Sequence, residues 1–360
     1  MPSDEKEKER LDILLTTYPE HGSRNVGDRL ITDSALKLIR RRIPDYNPVM
    51  IFREEALERF DKRKVRSILA PGFSINDASY PKLFKLYENL DGVSKLFHPI
   101  GCSFQHLVPR KDTYNEYVYS DETLNFLRDV AAGTGPLPCR DQLIVDMLRK
   151  HHVPAFYCGD LALYDESVIG SEFSPPEKIR SIAFTVQHKP KFIPQSFEIL
   201  RLIKAEFPEA ELYVVHHSQV NKNSQQVSDY AKSIGYSERD LSGEVSNLDL
   251  YNNVDLHIGY RLHGHISFLR RRKPSFLLIE DSRSFGIART GCLDVGTFCA
   301  MDESGVQVCP NVPRQLIDYV GSQVEAGFSE YQQVFNFIDK SFKYVAKPYF
   351  DALPSRLTTG

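Results

Sequence analysis

In Tyr260-Arg261-Leu262-His263-Gly264-His265, a fixed cation stands two residues before an imidazole, where the apolar run Val254–Ile258 gives way to the helical pattern Ile266–Arg270. A strand-to-helix turn aims backbone N–H groups at whatever occupies its mouth, which favours anions. An arginine fork beside a histidine can hold a small phosphorylated or carboxylated molecule and move a proton on it. Taken alone, His263 also reads as a helix-start histidine satisfied by a backbone carbonyl. His265 lies two residues on, so a helix turns it away from His263, which argues against a shared metal site. As the fourth residue after Arg261 it would still face a cleft.

Two further segments carry chemistry-bearing residues at turns. Cys139-Arg140-Asp141 ends one strand and opens a helix, placing Arg140 either at a cleft or in a salt bridge beside Asp141. The loop Gly22-Ser23-Arg24-Asn25-Val26-Gly27-Asp28 follows the first strand. Asn25, Gly27 and Asp28 suit a tight turn with a helix cap, and equally a lining for one side of a binding site. His151-His152 and His216-His217 sit at element ends and read as solvated.

The elements that must position these groups alternate. Strands are expected at Leu11–Thr16, Val49–Phe52, Ser67–Ala70, Ser94–Ile100, Leu137–Arg140 and Ala155–Tyr157. Helices are expected at Leu30–Arg41, Pro81–Asn89, Asp121–Ala131 and Asp141–Lys150. Gly159 to Glu177, ending in Ser174-Pro175-Pro176, is poorly patterned and reads as a bridge. The alternation then restarts with strand Ser181–Val186, helix Ile193–Glu206, strand Glu211–His216, helices Ser224–Ile234 and Asn247–Asn252, and strands Val254–Ile258 and Ser275–Ile279. A last helix, Tyr331–Tyr344, would cross back to the first half. The expectation is an α/β protein of two Rossmann-like, doubly wound domains facing a cleft: residues 1–165 with 330–360, and residues 175–329.

Composition narrows the class. With 45 Lys and Arg against 48 Asp and Glu, the net charge of −3 gives nucleic acid no general attraction. No apolar run approaches the ~20 residues of a membrane span. Met1 to Arg10 is charged with both signs and lacks the apolar core of a signal peptide, so a cytoplasmic protein is expected. The six cysteines show no Cys-x-x-Cys spacing and read as reduced core thiols.

Four segments, in order, resemble the polysaccharide pyruvyltransferases. They are Gly22-x-x-Asn25-x-Gly27-Asp28, Cys139-Arg140-Asp141, Gly159-Asp160-Leu161-Ala162-Leu163, and Tyr260-Arg261-Leu262-His263, the most specific. The resemblance implies a fold of the GT-B type, phosphoenolpyruvate as donor with no further cofactor, and a sugar within a free or lipid-linked saccharide as acceptor. The product would be a pyruvate ketal, with phosphate released. A lipid-linked acceptor would bring peripheral membrane contact. His263 matches the family's catalytic histidine. Arg140, Arg261, Arg283 and His265 would bind the donor, and Asn25, Gly27 and Asp28 would line the acceptor side. The chain departs from the family at Pro71-Gly72-Phe73-Ser74, where a Gly-Gly-Gly run is common. It departs again at Arg283, where a lysine is common and a planar fork now replaces a mobile point charge.

Two other functions fit parts of the pattern. A nucleotide-sugar-dependent glycosyltransferase of the same architecture could use Glu280 or Asp281, at a strand end, on ribose hydroxyls. A saccharide-binding protein without catalysis would not need Arg140, Arg261 and His263 together.

Overall fold

Continuous apolar runs make the central strands, because a parallel strand covered by helices on both sides needs apolar side chains on both. In the computed structural model, which describes residues 10–77, 83–106 and 108–358, strands β1 (Leu11–Thr16), β2 (Val49–Phe52), β3 (Val65–Pro71) and β4 (Phe97–Ile100) form a parallel sheet ordered β2-β1-β3-β4. Strands β5 (Leu137–Cys139) and β6 (Ala155–Tyr157) pair in parallel, and a bridge between Cys102 and Cys139 continues the first sheet into them. Helices α1 (Val26–Arg40), α2 (Lys111–Asn115), α3 (Asp121–Thr134) and α4 (Gln142–Lys150) belong to this half.

The second sheet is parallel throughout. It contains β7 (Ser181–Thr185), β8 (Glu211–His216), β9 (Ser237–Asp240), β10 (Leu256–Gly259), β11 (Ser275–Ile279) and β12 (Thr297–Cys299), ordered β12-β11-β10-β7-β8-β9. Its helices are α5 (Ile193–Glu206), α6 (Lys222–Ser233), α7 (Leu262–Leu269), α8 (Ser282–Ile287), α9 (Val312–Glu325) and α10 (Tyr331–Ser341); a π-helical segment, Phe342–Ala346, then leads into α11 (Lys347–Thr358). In this order the chain leaves β7 toward β8 and leaves β10 toward β11, on opposite sides. The loops after these adjacent strands therefore part and open a crevice. In the first sheet the loops after β1 and β3 part in the same way.

Helix α1 joins the halves. Val26 and Leu30 are buried, the helix packs on α7, and Arg270 Nη1 reaches Ser34 Oγ at 3.2 Å. The last segment returns to the first half: Tyr349 packs on Phe156, ring centroids 5.8 Å apart, and α11 touches β3 and α1.

Several elements differ from expectation. The last helix is longer than Tyr331–Tyr344, running through its π segment to Thr358. The expected helix Pro81–Asn89 begins at Pro81 and Lys82, which lie outside the described residues, and residues 84–89 are bends and coil. Asn247–Asn252 is 3-10 rather than α, within Val245–Asn253. The segment after Gly159 is not a loose bridge at its start, because Leu161–Leu163 forms a buried 3-10 turn.

Candidate functional site

Arg261 is set by the sheet beneath it. Gly259 ends β10 so close to β7 that a Cβ there would lie 2.4 Å from Thr185 Oγ1, a separation only glycine permits. The chain then turns so that the Arg261 N–H donates to Thr185 Oγ1 at 3.2 Å and α7 starts at Leu262. The Arg261 side chain is 7 % exposed, and its Nη2 donates to Ser218 Oγ (2.9 Å) and across the halves to Asn25 Oδ1 (3.2 Å). Burial lowers its pKa to about 10, against the pull of Glu280, so it remains a cation at neutral pH. Asn25 caps α1 by accepting from the Gly27 N–H at 3.1 Å and donates to Asp28 Oδ2 at 2.9 Å. Two helix N-termini, those of α1 and α7, thus meet here and add their partial positive charge.

His263 occupies the first turn of α7, with its ring against α1. A Cβ at position 27 would come within 2.8 Å of His263 Nδ1 and Cβ, so Gly27 is what lets the two helices close on the imidazole. On the other side, His263 Nε2 lies 3.5 Å from Asp160 Oδ2, which is 3.8 Å from Arg140 Nη1. Asp160 is anchored because its Oδ1 accepts from the Ala162 N–H at 2.9 Å, capping the 3-10 turn. Burial raises the Asp160 carboxyl, but His263 and Arg140 outweigh burial and bring it below its ordinary range. Arg140 keeps Nε and Nη2 buried without hydrogen-bond partners among the described residues, and neighbouring Asp141 caps α4 through Ile144 N at 3.1 Å.

The end of β11 closes the site. Asp281 caps α8 through Ser284 N (3.0 Å), and its Oδ2 accepts from Arg283 Nε (3.0 Å) and Nη2 (2.7 Å). Despite burial, Arg283 and these hydrogen bonds hold Asp281 well below the usual carboxylate range. Glu280 is buried, and burial pushes its carboxyl up to about 7. Asn25, His188, Arg261, His263, Glu280 and Arg283 all line one narrow polar crevice of about 20 Å³, at the point where the loops after β7 and β10 diverge. Arg261 beside it, more than burial, pushes His188 well down and keeps its ring neutral. Burial does the same to His217, whose Nε2 pairs with Tyr251 Oη at 2.6 Å. Fixed cations beside a positioned imidazole are the groups that bind a small polyanion and transfer a proton to or from it, once the crevice has widened to admit it.

The expected residues separate into three groups. Arg261, His263, Arg283 and Asn25 line the crevice, with Gly27 and Asp28 immediately behind Asn25. Arg140 reaches His263 only through Asp160. His265 does not belong to the site. It is fully buried with Nδ1 2.8 Å from Ser275 Oγ, and burial lowers its pKa to about 3. Arg261 caps the helix rather than lying within it, so the four-residue spacing to His265 does not put both on one face. His216 and His217 are buried rather than solvated, because β8 ends inside the cleft. Asp160, His188 and His217 were not read from the sequence as site residues, and Glu280 was read only as a strand-end contact for ribose hydroxyls. An aspartate after a glycine at a strand end, before a capped turn, was the signal for Asp160.

A family profile described as "Polysaccharide pyruvyl transferase" matches residues 25–282. No curated protein matches the chain. Among solved structures, S. aureus MnaA with UDP aligns at a TM-score of 0.51 and 12% identity, over 98% of each chain. A wall teichoic acid polymerase, TagF, with CDPG aligns at 0.50 and 10%, over 99% of this chain and 90% of that one. These show a shared fold, the GT-B-like pairing of two α/β halves, and nothing finer. The chain spans 53% of the length of an accessory secretory protein chain from Streptococcus pneumoniae, at a TM-score of 0.47, 10% identity and 81% coverage of this chain.

Proposed function

The chain belongs to the polysaccharide pyruvyl transferase family across residues 25–282, and from that premise we propose that it transfers the enolpyruvyl group of phosphoenolpyruvate to two hydroxyls of a sugar in a cytoplasmic saccharide. The methylene carbon of the donor takes a proton and becomes a methyl group. One sugar hydroxyl adds to the central carbon, and the bond from that carbon to the phosphate oxygen breaks. The second hydroxyl then adds, giving a cyclic ketal; the two hydroxyl protons replace the one consumed and load the released phosphate.

One observation carries this reading. A histidine oriented by a buried carboxylate shares a crevice with two arginines, at the meeting point of both halves. Arg261 and Arg283 hold the donor's phosphate and carboxylate. With Asp160 on Nε2, His263 supplies the proton from Nδ1, the nitrogen on the α1 side. Arg140 fixes Asp160 from behind. Residues 1–165 with 330–360 form the acceptor side around Asn25, Gly27 and Asp28, and residues 175–329 form the donor side.

The test is phosphate release from phosphoenolpyruvate with free and lipid-linked saccharides as acceptors, followed by NMR of the product for the ketal methyl group. His263→Asn retains donor binding and loses turnover by orders of magnitude; near wild-type turnover removes His263 from the acid role. Nucleoside diphosphate released from a nucleotide sugar, with no phosphate from phosphoenolpyruvate, overturns the reading in favour of glycosyl transfer.

A further inference from the structure

Two carboxylates line the crevice, and they are held differently. Asp281 is met by the Arg283 guanidinium, whereas Glu280, 2 % exposed, is met by backbone N–H groups. The two Glu280 oxygens accept from the His188 N–H at 3.1 and 3.2 Å, and Oε2 accepts from the Lys189 N–H at 3.4 Å. Lys189 Nζ donates to the Glu280 backbone carbonyl at 2.7 Å, fixing the segment from the other side. The carboxyl therefore has a set place on the crevice wall. Three of its four lone-pair sites face the loop after β7, and the remaining one is on Oε1.

The charges around it are nearly balanced before any ligand enters. Arg283 is already answered by Asp281 through two hydrogen bonds. Arg261 donates to neutral partners, Asn25 and Ser218. With Glu280 ionised, the two lining arginines are matched by the two lining carboxylates, and a small polyanion would enter beside a carboxylate. Like charges this close in a dry site do not both stay ionised.

We propose that Glu280 meets the bound anion as a neutral carboxylic acid: anion entry brings one proton from water onto its carboxylate, and the new O–H donates a hydrogen bond to an anion oxygen. This rests on the crevice being the donor's anion site, and it makes donor binding consume a proton. The groups facing Glu280 are Arg261 and Tyr260 from the turn after β10, His188 and Lys189 from the loop after β7, and Asp281 and Arg283 from the start of α8. Arg261 keeps the His188 ring neutral, so it does not take the proton. His263 is the competing acceptor. Burial already raises Glu280 to about 7, against Arg261 and the His188 N–H, and a neighbouring anion raises it further.

Calorimetry with sulfate decides the matter, because sulfate stays fully ionised and brings no titration of its own. Binding at pH 7.5 is measured in buffers of differing ionisation enthalpy, which counts the protons taken up. The wild-type protein takes up most of one proton per sulfate, and its Kd rises up to about tenfold per pH unit above neutrality. Glu280→Gln shows no uptake and a Kd flat with pH, while His263→Asn keeps the uptake. Uptake that survives in Glu280→Gln, or vanishes in His263→Asn, overturns the proposal. The wild-type and His263→Asn proteins suffice for this if Glu280→Gln does not fold. Failure of wild-type protein to bind sulfate overturns it as well, and phosphate release from phosphoenolpyruvate judges the transfer reaction separately.

Discussion

Asp160 Oδ2 stands between His263 Nε2, 3.5 Å away, and Arg140 Nη1, 3.8 Å away, and all three side chains are buried. A carboxylate in that position faces the Nε2 edge of the ring, which leaves Nδ1 as the nitrogen on the α1 side. The resemblance placed Arg140 on the donor; in the structure it lies against Asp160 and, after His263, lowers that carboxyl against the effect of burial.

Asp160→Asn keeps the size of the side chain and can keep the cap on Ala162, but removes the charge. Turnover falls about 10²–10⁴-fold, as when the orienting acid of a catalytic imidazole is neutralised. The KM for phosphoenolpyruvate changes by less than about threefold, since the crevice arginines are untouched. Steady-state phosphate release separates the two parameters. A raised KM with intact kcat would place Asp160 in donor binding instead.

Gly27→Ala sets two effects against each other. Inside a helix, alanine is favoured over glycine by about 1 kcal/mol. Here the added Cβ would sit 2.8 Å from His263 Cβ and Nδ1, in a buried contact between two packed helices. Overpacking of this kind costs about 1–3 kcal/mol, so the clash wins and the variant melts lower than wild type. Displacement of the imidazole also costs about 10²-fold in turnover. A variant that melts higher and keeps its activity would show that α1 does not press on His263.

The sequence made the centre of each sheet legible and left its edges dark. The strands β1, β7, β10 and β11 are apolar runs because helices cover both faces. The edge strand β9, Ser-Glu-Arg-Asp, carries no apolar residue, since three of its four positions face solvent. The short β12 lacks any pattern long enough to register a period. Within the site, Arg261 and His263 were legible because they share one turn. The Asp160–His263 pair was not, because 103 positions separate its members and only the fold joins them. The same limit applied to His217, whose burial depends on Tyr251 and α7 rather than on its neighbours in the chain.

His265→Asn tests the correction that the fold imposes. His265 Nδ1 and His257 Nδ1 both meet Ser275 Oγ, at 2.8 and 2.7 Å, beneath the crevice and away from it. The variant keeps its donor KM within about threefold of wild type. It loses about 1–3 kcal/mol of stability, because Ser275 loses a partner and a buried ring is replaced by a smaller amide. Urea unfolding and phosphate-release kinetics together read this out. A KM increase of tenfold or more with unchanged stability would return His265 to the donor site.

Asp141→Asn makes the last prediction, and its sign follows from burial. The carboxyl caps α4, its Oδ2 has no hydrogen-bond partner among the described residues, and a Cβ on Gly286 would lie 2.5 Å from that oxygen. Burial raises Asp141 from 3.8 to about 6, against the attraction of Arg140 and the N–H groups of Ile144 and Leu143. An acid whose folded pKa exceeds its unfolded one holds its proton more tightly when folded. Its stabilising contribution is complete below about 3.8 and is lost as pH climbs to about 6, where it levels off. A rise of that size corresponds to roughly 3 kcal/mol. Asparagine keeps the capping oxygen and does not titrate. The stability of the variant relative to wild type therefore rises by up to that amount between pH 4 and 6 and stays constant from pH 6 to 8, whatever its offset at pH 4. Urea titrations at half-unit steps measure the difference directly. Parallel curves across the whole range would mean that Asp141 titrates like an exposed carboxylate and that the β5–α4 turn is open to water.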